Sequence, residues 1–463
     1  MTFLVDDREA EAASSAVPDS ADVQLADRIA RGIFASNAAP GTVIASQQEL
    51  RALHEAGRAV LRQAVRILEE RGIAKMRRGF GGGLVVAEPN ADFAARALSI
   101  VLESLGSDTQ QSSVLLEAVD THLFVHGAPR LGLEQCAELL RAVQRLNRLP
   151  DDEFLRSGAH RQLHRAIRIA SGEPAVLLAY GTAFEYGLDL IPYRVNVVSE
   201  AAKGEAWQIT CDTATALVAG DMGKMFDCRR RQREMFLANW GKWEAIARDP
   251  LQLPQLNDQQ RPEFELTSNR AERLAREILR EIRLLDWKPG ARIGSGSELM
   301  SRYGASANIL RQAVRTLQEH AAVDVEKGRS GGLFIAVPDR QRAIERARFF
   351  LQNSAATALD IKAFLLHLIL ETLEQTPPIA ANKLRDDMGT NNAVSFIELC
   401  KLVAKISANP VTQVFTDILA PLLPNEQHTV AASIAREALL ARDTAQRRRL
   451  ILAVANGNVM SQA

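Results

Sequence analysis

The sequence predicts a mainly α-helical protein in which a unit of three helices and a β-hairpin occurs twice, each copy followed by an all-helical region. Three observations carry this. Leu61-Arg62-Gln63-Ala64-Val65-Arg66 returns letter for letter as Leu310-Arg311-Gln312-Ala313-Val314-Arg315, an offset of 249 (310 − 61). The offset holds without a gap over a longer window: Pro40-Gly41 recurs as Pro289-Gly290, Glu49-Leu50 as Glu298-Leu299, Gly82-Gly83-Leu84 as Gly331-Gly332-Leu333, and Pro89 as Pro338. A period this long marks a duplicated domain rather than a solenoid. Finally, 47% of residues are apolar but only 5% aromatic, which favours cores of Leu, Ala, Ile and Val, as in helical proteins.

Each element of the first unit has a local cause. Leu25, Ile29, Ile33 and Phe34 fall at helical spacing. Pro40-Gly41 forms a turn. Ser46 with Glu49 three residues on is a capping box opening a short helix to about Leu53. A third helix starts at Gly57 or Arg58, buries Val60, Leu61, Ala64, Val65 and Leu68, and ends at Gly72. Ile73 to Met76 and Leu84 to Val86 are β-prone and flank a glycine-rich tip, so they read as a two-stranded hairpin. Residues 269–338 repeat this order. Residues 91–250 and 339–463 are helical, the second region being shorter. The Pro- and Gln-rich stretch 251–268 lacks periodicity and reads as a linker. Residues 1–22, with Asp6, Asp7, Glu9 and Glu11, read as a disordered tail rather than a signal peptide. The six ranges are therefore 1–22, 23–90, 91–250, 251–268, 269–338 and 339–463.

Bulk properties exclude several classes. At 463 residues the chain exceeds one core, and length alone suggests roughly three or four domains. Formal net charge is zero, so any contact with a polyanion has to come from local charge. Cys136, Cys211, Cys228 and Cys400 lack CxxC spacing, which fits a reducing compartment and no thiolate metal site. No uncharged apolar run reaches about 18 residues, so no membrane partner is expected and a cytoplasmic location is the default. Nothing groups a nucleophile with a base, no glycine-rich loop lies between a strand and a helix, and no carboxylate pair stands out. The chain is not expected to be an enzyme or to need a cofactor.

The third helix carries the chemistry. Arg58, Arg62 and Arg66 recur at i, i+4 and i+8, off the apolar face. Arginine forks fit guanine O6 and N7, or phosphate. Lys75, Arg77 and Arg78 add charge at the hairpin, whose glycines would allow a close backbone approach to a groove. An arginine row is also what an ordinary solvated face looks like, and such units serve as protein docks too.

Both units resemble the winged helix-turn-helix domain of the GntR family of bacterial transcription regulators. The resemblance rests on Pro40-Gly41, Ile44-Ala45-Ser46, Glu49-Leu50, Arg58, Leu61-Arg62-Gln63-Ala64-Val65, Leu68, Gly72-Ile73, Gly79 and Gly81. In the second copy it rests on Pro289-Gly290, Ile293-Gly294-Ser295, Glu298-Leu299, Tyr303-Gly304-Ala305-Ser306, Leu310-Arg311-Gln312-Ala313-Val314, Leu317 and Gly328. The helical regions resemble the all-α helical-bundle effector domain of the FadR-like subgroup through Leu163-His164-Arg165-Ala166-Ile167, Ser171-Gly172-Glu173-Pro174 and Gly220-Asp221. Ala408-Asn409-Pro410 and Arg442-Asp443 are the counterparts.

The resemblance implies a transcription regulator acting on double-stranded DNA as an intramolecular pseudo-dimer, with room for a small organic effector and for further homodimerisation. It implies DNA contacts from Ser46, Arg58, Arg62, Arg66, Lys75, Arg77 and Arg78, and from Ser295, Asn308, Arg311, Arg315, Lys327 and Arg329. The copies diverge: Arg58 becomes Ala307, Ala59 becomes Asn308, and Lys75 and Arg77 become Asp324 and Glu326, so the second should bind more weakly or prefer another sequence. Many subgroup members hold a metal with one Asp and three His. The matching positions here are His160, His164, Thr210 and Gln232, then Phe396, Cys400, Ala432 and Val454. The second set cannot bind a metal. The first leaves only His160 and His164 as weak candidates, so no metal is expected. His122 and His126 form another i, i+4 pair nearby. The rival reading is an interaction protein descended from such a regulator, which no longer binds DNA.

Overall fold

A computed structural model of the chain describes residues 21–188, 200–248, 270–376, 393–424 and 429–431, apart from 37, 71, 78, 80, 89, 108, 150–152, 327 and 329–330. The expected tail up to residue 20, the 251–268 linker, the second helical region beyond 431, and Arg78, Lys327 and Arg329 lie outside the described residues.

The first unit runs α1 (Ala21–Ser36), β1 (Val43–Ala45), α2 (Gln47–Leu53), α3 (Arg58–Glu70), β2 (Ala74–Arg77) and β3 (Gly83–Val86). The Ser46 Oγ accepts from Glu49 N (3.2 Å), and Ser46 N donates to Glu49 Oε2 (2.7 Å), so the expected capping box opens α2. Gly72 follows α3 at φ 63°, a backbone that glycine adopts without strain.

The expected two-stranded hairpin proves to be a three-stranded antiparallel sheet in the order β1-β3-β2. The added strand is three residues long, too short for an alternating pattern to announce it. The Pro40-Gly41 turn delivers it: Gly41 N donates to Val86 O and Val86 N to Thr42 O, both at 2.9 Å. Gly83 owes its identity to this strand rather than to a groove, since a Cβ there would stand 2.6 Å from Ala45 O.

The second unit repeats the order as α11 (Arg270–Leu284), β4 (Arg292–Gly294), α12 (Gly296–Tyr303), α13 (Ala307–Glu319), β5 (Val323–Glu326) and β6 (Gly332–Ile335). Its sheet is β4-β6-β5. Ser295 and Glu298 close the same capping box, and a Cβ on Gly332 would meet Gly294 O at 2.6 Å.

Between the units lie α4 (Ala91–Ser104), α5 (Thr109–His122), a π-helical turn (Leu123–Gly127), α6 (Leu133–Arg148), α7 (Glu153–Ile169), α8 (Pro174–Leu188), α9 (Glu200–Ala219) and α10 (Met222–Arg248). After the second unit come α14 (Arg340–Gln352), α15 (Ala358–Gln375), α16 (Phe396–Ser407) and α17 (Pro410–Leu419), with β7 (Ala393–Ser395) paired to β8 (Thr429–Ala431). No helix among the described residues is long and apolar enough to cross a membrane.

The two helical regions occupy separate ranges of the sequence, yet their buried residues form one cluster. Leu98, Val114, Val119 and Val176 pack with Phe364, Leu368, Phe396 and Phe415. A second cluster, including Phe124, Leu139, Leu163, Leu217 and Met225, is built wholly from residues 123–225.

The units sit crosswise on this body. Phe349 of α14 joins the first unit's core, its ring 4.7 Å from Phe34, and Arg342 pairs with Asp27 at 3.1 Å. Ile100 of α4 joins the second unit's core, and Arg283 pairs with Glu103. Each unit therefore rests on the helix that follows the other one.

Candidate nucleic-acid interface and the helical-domain site

Helix α3 divides cleanly. Leu61, Ala64 and Leu68 are fully buried and Val65 nearly so, while Arg58, Arg62 and Arg66 are exposed. The hydrophobic face fixes the helix to α1, and the 3.6-residue period then turns the three arginines outward together. Strand β2 is tied to the helix, because Met76 N donates to Glu69 Oε1 at 2.9 Å. Lys75 and Arg77 on β2 are exposed, and Arg77 Nη2 also donates to Gly81 O at 3.1 Å. Ser46 and Ser295 lie at the starts of α2 and α12, with their hydroxyl lone pairs engaged by backbone N–H groups.

The second unit presents a different face. Asn308 and Arg311 are exposed, but Arg315 is half-buried and its Nε donates to Glu319 at 3.3 Å. The identical hexapeptide thus yields two environments. The end of α13 lies against the body: the His320 ring is tilted against Phe93 (centroids 5.0 Å apart), and Arg346 donates to Glu319 O (3.3 Å). Asp324 and Glu326 are exposed on β5 where the first unit has Lys75 and Arg77.

In the helical body, the four positions matched to metal ligands do converge. His160 Nε2 meets Thr210 Oγ1 at 2.8 Å, and Gln232 Nε2 meets His164 Nε2 at 3.1 Å. Each of these two Nε2 atoms is answered by a neutral side chain. Burial holds His164 well below the usual histidine range, with Arg168 and His160 adding to the effect, so it stays neutral. Two nitrogens fall short of a metal's donor set, and no group of three or more His, Cys, Asp or Glu among the described residues stands ready to hold a metal ion. Phe396 and Cys400 are completely buried in the shared core; Ala432 and Val454 lie outside the described residues.

Beside this network runs one that sequence reading missed. Arg168 pairs with Asp120 at 2.7 Å, although burial keeps the Asp120 carboxyl above its ordinary range. Arg229 of α10 joins Glu117 (2.7 Å) and Glu371 (2.5 Å), the latter on α15. Burial opposes the charge on Arg229, but Glu371 and Glu117 outweigh it and raise its pKa. Arg230, the next residue in the chain, is exposed and pairs with Asp227 and Glu234 instead. The cavity lined by Asp120, His164, Arg168, Thr210, Arg229 and Gln232 encloses about 10 Å³, at the lower limit for a single water.

A helix–turn–helix with a β-hairpin beside it defines the winged-helix class. Residues 270–332 match the model for "Bacterial regulatory proteins, gntR family", so this segment is a GntR-type domain. No curated protein matches the chain. One similar solved structure is the transcriptional regulator (GntR family member) from Pseudomonas syringae pv. tomato str. DC3000, 19% identical over 49% of this chain and 90% of that one, with a TM-score of 0.20. Another, from Listeria monocytogenes, carries the description "Lar controls the expression of the Listeria monocytogenes agr system and mediates virulence". It is 16% identical over 50% of this chain and 100% of that one, with a TM-score of 0.21. TM-scores at this level add nothing to the assignment.

Proposed function

We propose that the chain is a DNA-binding transcription regulator of FadR-like descent, duplicated in tandem, in which two winged helices share one helical body as an intramolecular pseudo-dimer. The carrying observation is the exposed Arg58–Arg62–Arg66 row on α3, backed by a fully apolar opposite face. The family match at residues 270–332 and the recurrence of the same element order at residues 21–86 support it. Arg62 and Arg66 address base edges and phosphates, with Lys75, Arg77 and Arg78 on the adjoining backbone. In the second unit Ser295, Asn308, Arg311, Arg315, Lys327 and Arg329 take the corresponding places. The acidic Asp324 and Glu326 weaken its grip, so the operator is asymmetric. A small organic effector would have to enlarge the small cavity beside His164 and Arg168, and would act by favouring one arrangement of the units.

Gel shifts against the DNA flanking the protein's own gene test this. Arg58→Ala and Arg62→Ala should each weaken binding, and unchanged binding in both removes the proposed roles. One observation favours a second reading: the exposed acidic β5 strand beside a half-buried Arg315 suits a basic protein partner better than a phosphate backbone. On that reading, salt-dependent binding to random duplex is absent altogether.

A further inference from the structure

The π-helical turn after α5 places three imidazoles in one cluster, and they come from both helical regions. Ring centroids stand 5.1 Å apart for His122 and His126, and 5.3 Å apart for both His122–His367 and His126–His367. His122 and His367 are buried, whereas His126 is partly exposed. Turns of this kind within helices are rare and recur at functional sites.

His122 has a partner at each ring nitrogen. Its Nε2 lies 2.5 Å from Glu173 Oε2. Its Nδ1 faces Nδ1 of His367 at 3.3 Å. Two imidazole nitrogens bound at about 2.0–2.1 Å to one tetrahedral ion stand roughly 3.3 Å apart, with ring centroids about 5.2 Å apart. The pair already has that spacing. A carboxylate on the far nitrogen is also how metal-bound histidines are usually oriented. Three donors do not surround one point as the chain stands; His126 is the third imidazole of the cluster, its ring 5.1 Å from that of His122 and 5.3 Å from that of His367. Arg130 balances one of the two nearby carboxylates, Glu173 (3.4 Å) and Asp360 (2.7 Å), leaving a net negative surrounding suited to a divalent cation.

We propose that the seam between the two helical regions binds a transition-metal ion of the zinc class through His122, His126 and His367, with Glu173 orienting His122. This site is separate from the His160–His164 pair and independent of DNA reading. By linking the end of α5 to α15, the ion would clamp the two halves of the body.

The full chain, stripped with a chelator and dialysed, is titrated with Co²⁺ and Zn²⁺. Expected is one equivalent of Co²⁺ with the visible absorption of a four-coordinate site, displaced by Zn²⁺, and a melting temperature that rises with Zn²⁺. His367→Gln should weaken binding more than tenfold, and Glu173→Gln by about 10–100-fold. His160→Gln should leave it unchanged. Because His122 is buried and its loss could unfold the chain, His126→Ala, at a partly exposed position, is the variant expected to stay folded while losing Co²⁺ affinity. Absence of uptake, uptake that survives His367→Gln or His126→Ala, or uptake abolished by His160→Gln would each overturn the proposal.

Discussion

Replacing Arg229 with methionine measures how firmly the two helical regions are joined. The guanidinium reaches from α10 to Glu117 on α5 (2.7 Å), to Thr121 (2.5 Å) and to Glu371 on α15 (2.5 Å). The Glu371 side chain is only 1% exposed, so little solvent replaces the lost cation. Methionine keeps most of the buried stem's volume and supplies no charge. Breaking one side of a buried ion pair costs about 3–5 kcal/mol, because the remaining charge stays desolvated. Two contacts moderate this: Thr121 still donates to Glu371 (2.8 Å), and Arg233 remains beside Glu117 (3.5 Å). The expectation is therefore about 3 kcal/mol, at the lower end of that range. Urea unfolding of the full chain, followed by circular dichroism, reads it as a lower midpoint. Adding Glu371→Gln should recover most of the loss, since no unpaired charge is then left inside. A loss under about 1 kcal/mol in the single variant, or a double variant no better than the single, would refute the reasoning.

Further outcomes follow from other contacts. Arg62→Ala should flatten the slope of log affinity against log salt by about one for any duplex if the residue meets phosphate, and should narrow the preference at one base pair if it meets a base edge; competition gel shifts across a salt series separate the two. Phe349→Ala should cost about 3–5 kcal/mol and raise hydrogen exchange in residues 21–86 rather than in its own flanking unit. Ala321 sits at φ 52°, where the first unit has Gly72, so Ala321→Gly should stabilise by about 1 kcal/mol in thermal melts. His164 protonates more readily unfolded (ordinary value 6.5) than folded. The unfolded state then binds more protons below pH 6.5, and stability should fall as pH drops toward the lowered folded value, by at most about 1.4 kcal/mol per pH unit. His164→Gln should remove that share of the slope; an unchanged slope would mean that His164 is not held neutral.

Local features were legible where one face of an element decides its fate. The capping boxes at Ser46 and Ser295, the buried Leu61–Ala64–Leu68 stripe and the outward arginines all follow from periods and caps that are local in the chain. The convergence of His160, His164, Thr210 and Gln232 was reachable only through family resemblance, since Thr210 and Gln232 are chemically unremarkable. What stayed hidden is set by contacts distant in sequence. Strand β1 is too short to signal itself. Arg315 differs from Arg66 because α4 and α14 crowd the end of α13 and nothing comparable is written in the hexapeptide. The pairing of His122 with His367 spans 245 positions, and no periodicity relates them.

The crosswise seating bears on inheritance. A chain cut between residues 250 and 270 would leave an N-terminal piece whose three-helix unit lacks Phe349 and a C-terminal piece whose three-helix unit lacks Ile100. Each fragment would keep a support that belongs to the other and lose its own. Gene fission, or exchange of one half with a relative, would therefore damage both three-helix units in a single event. Mutations in α4 and α14 should accordingly compensate changes in the unit across the molecule, not the unit adjoining them in the chain.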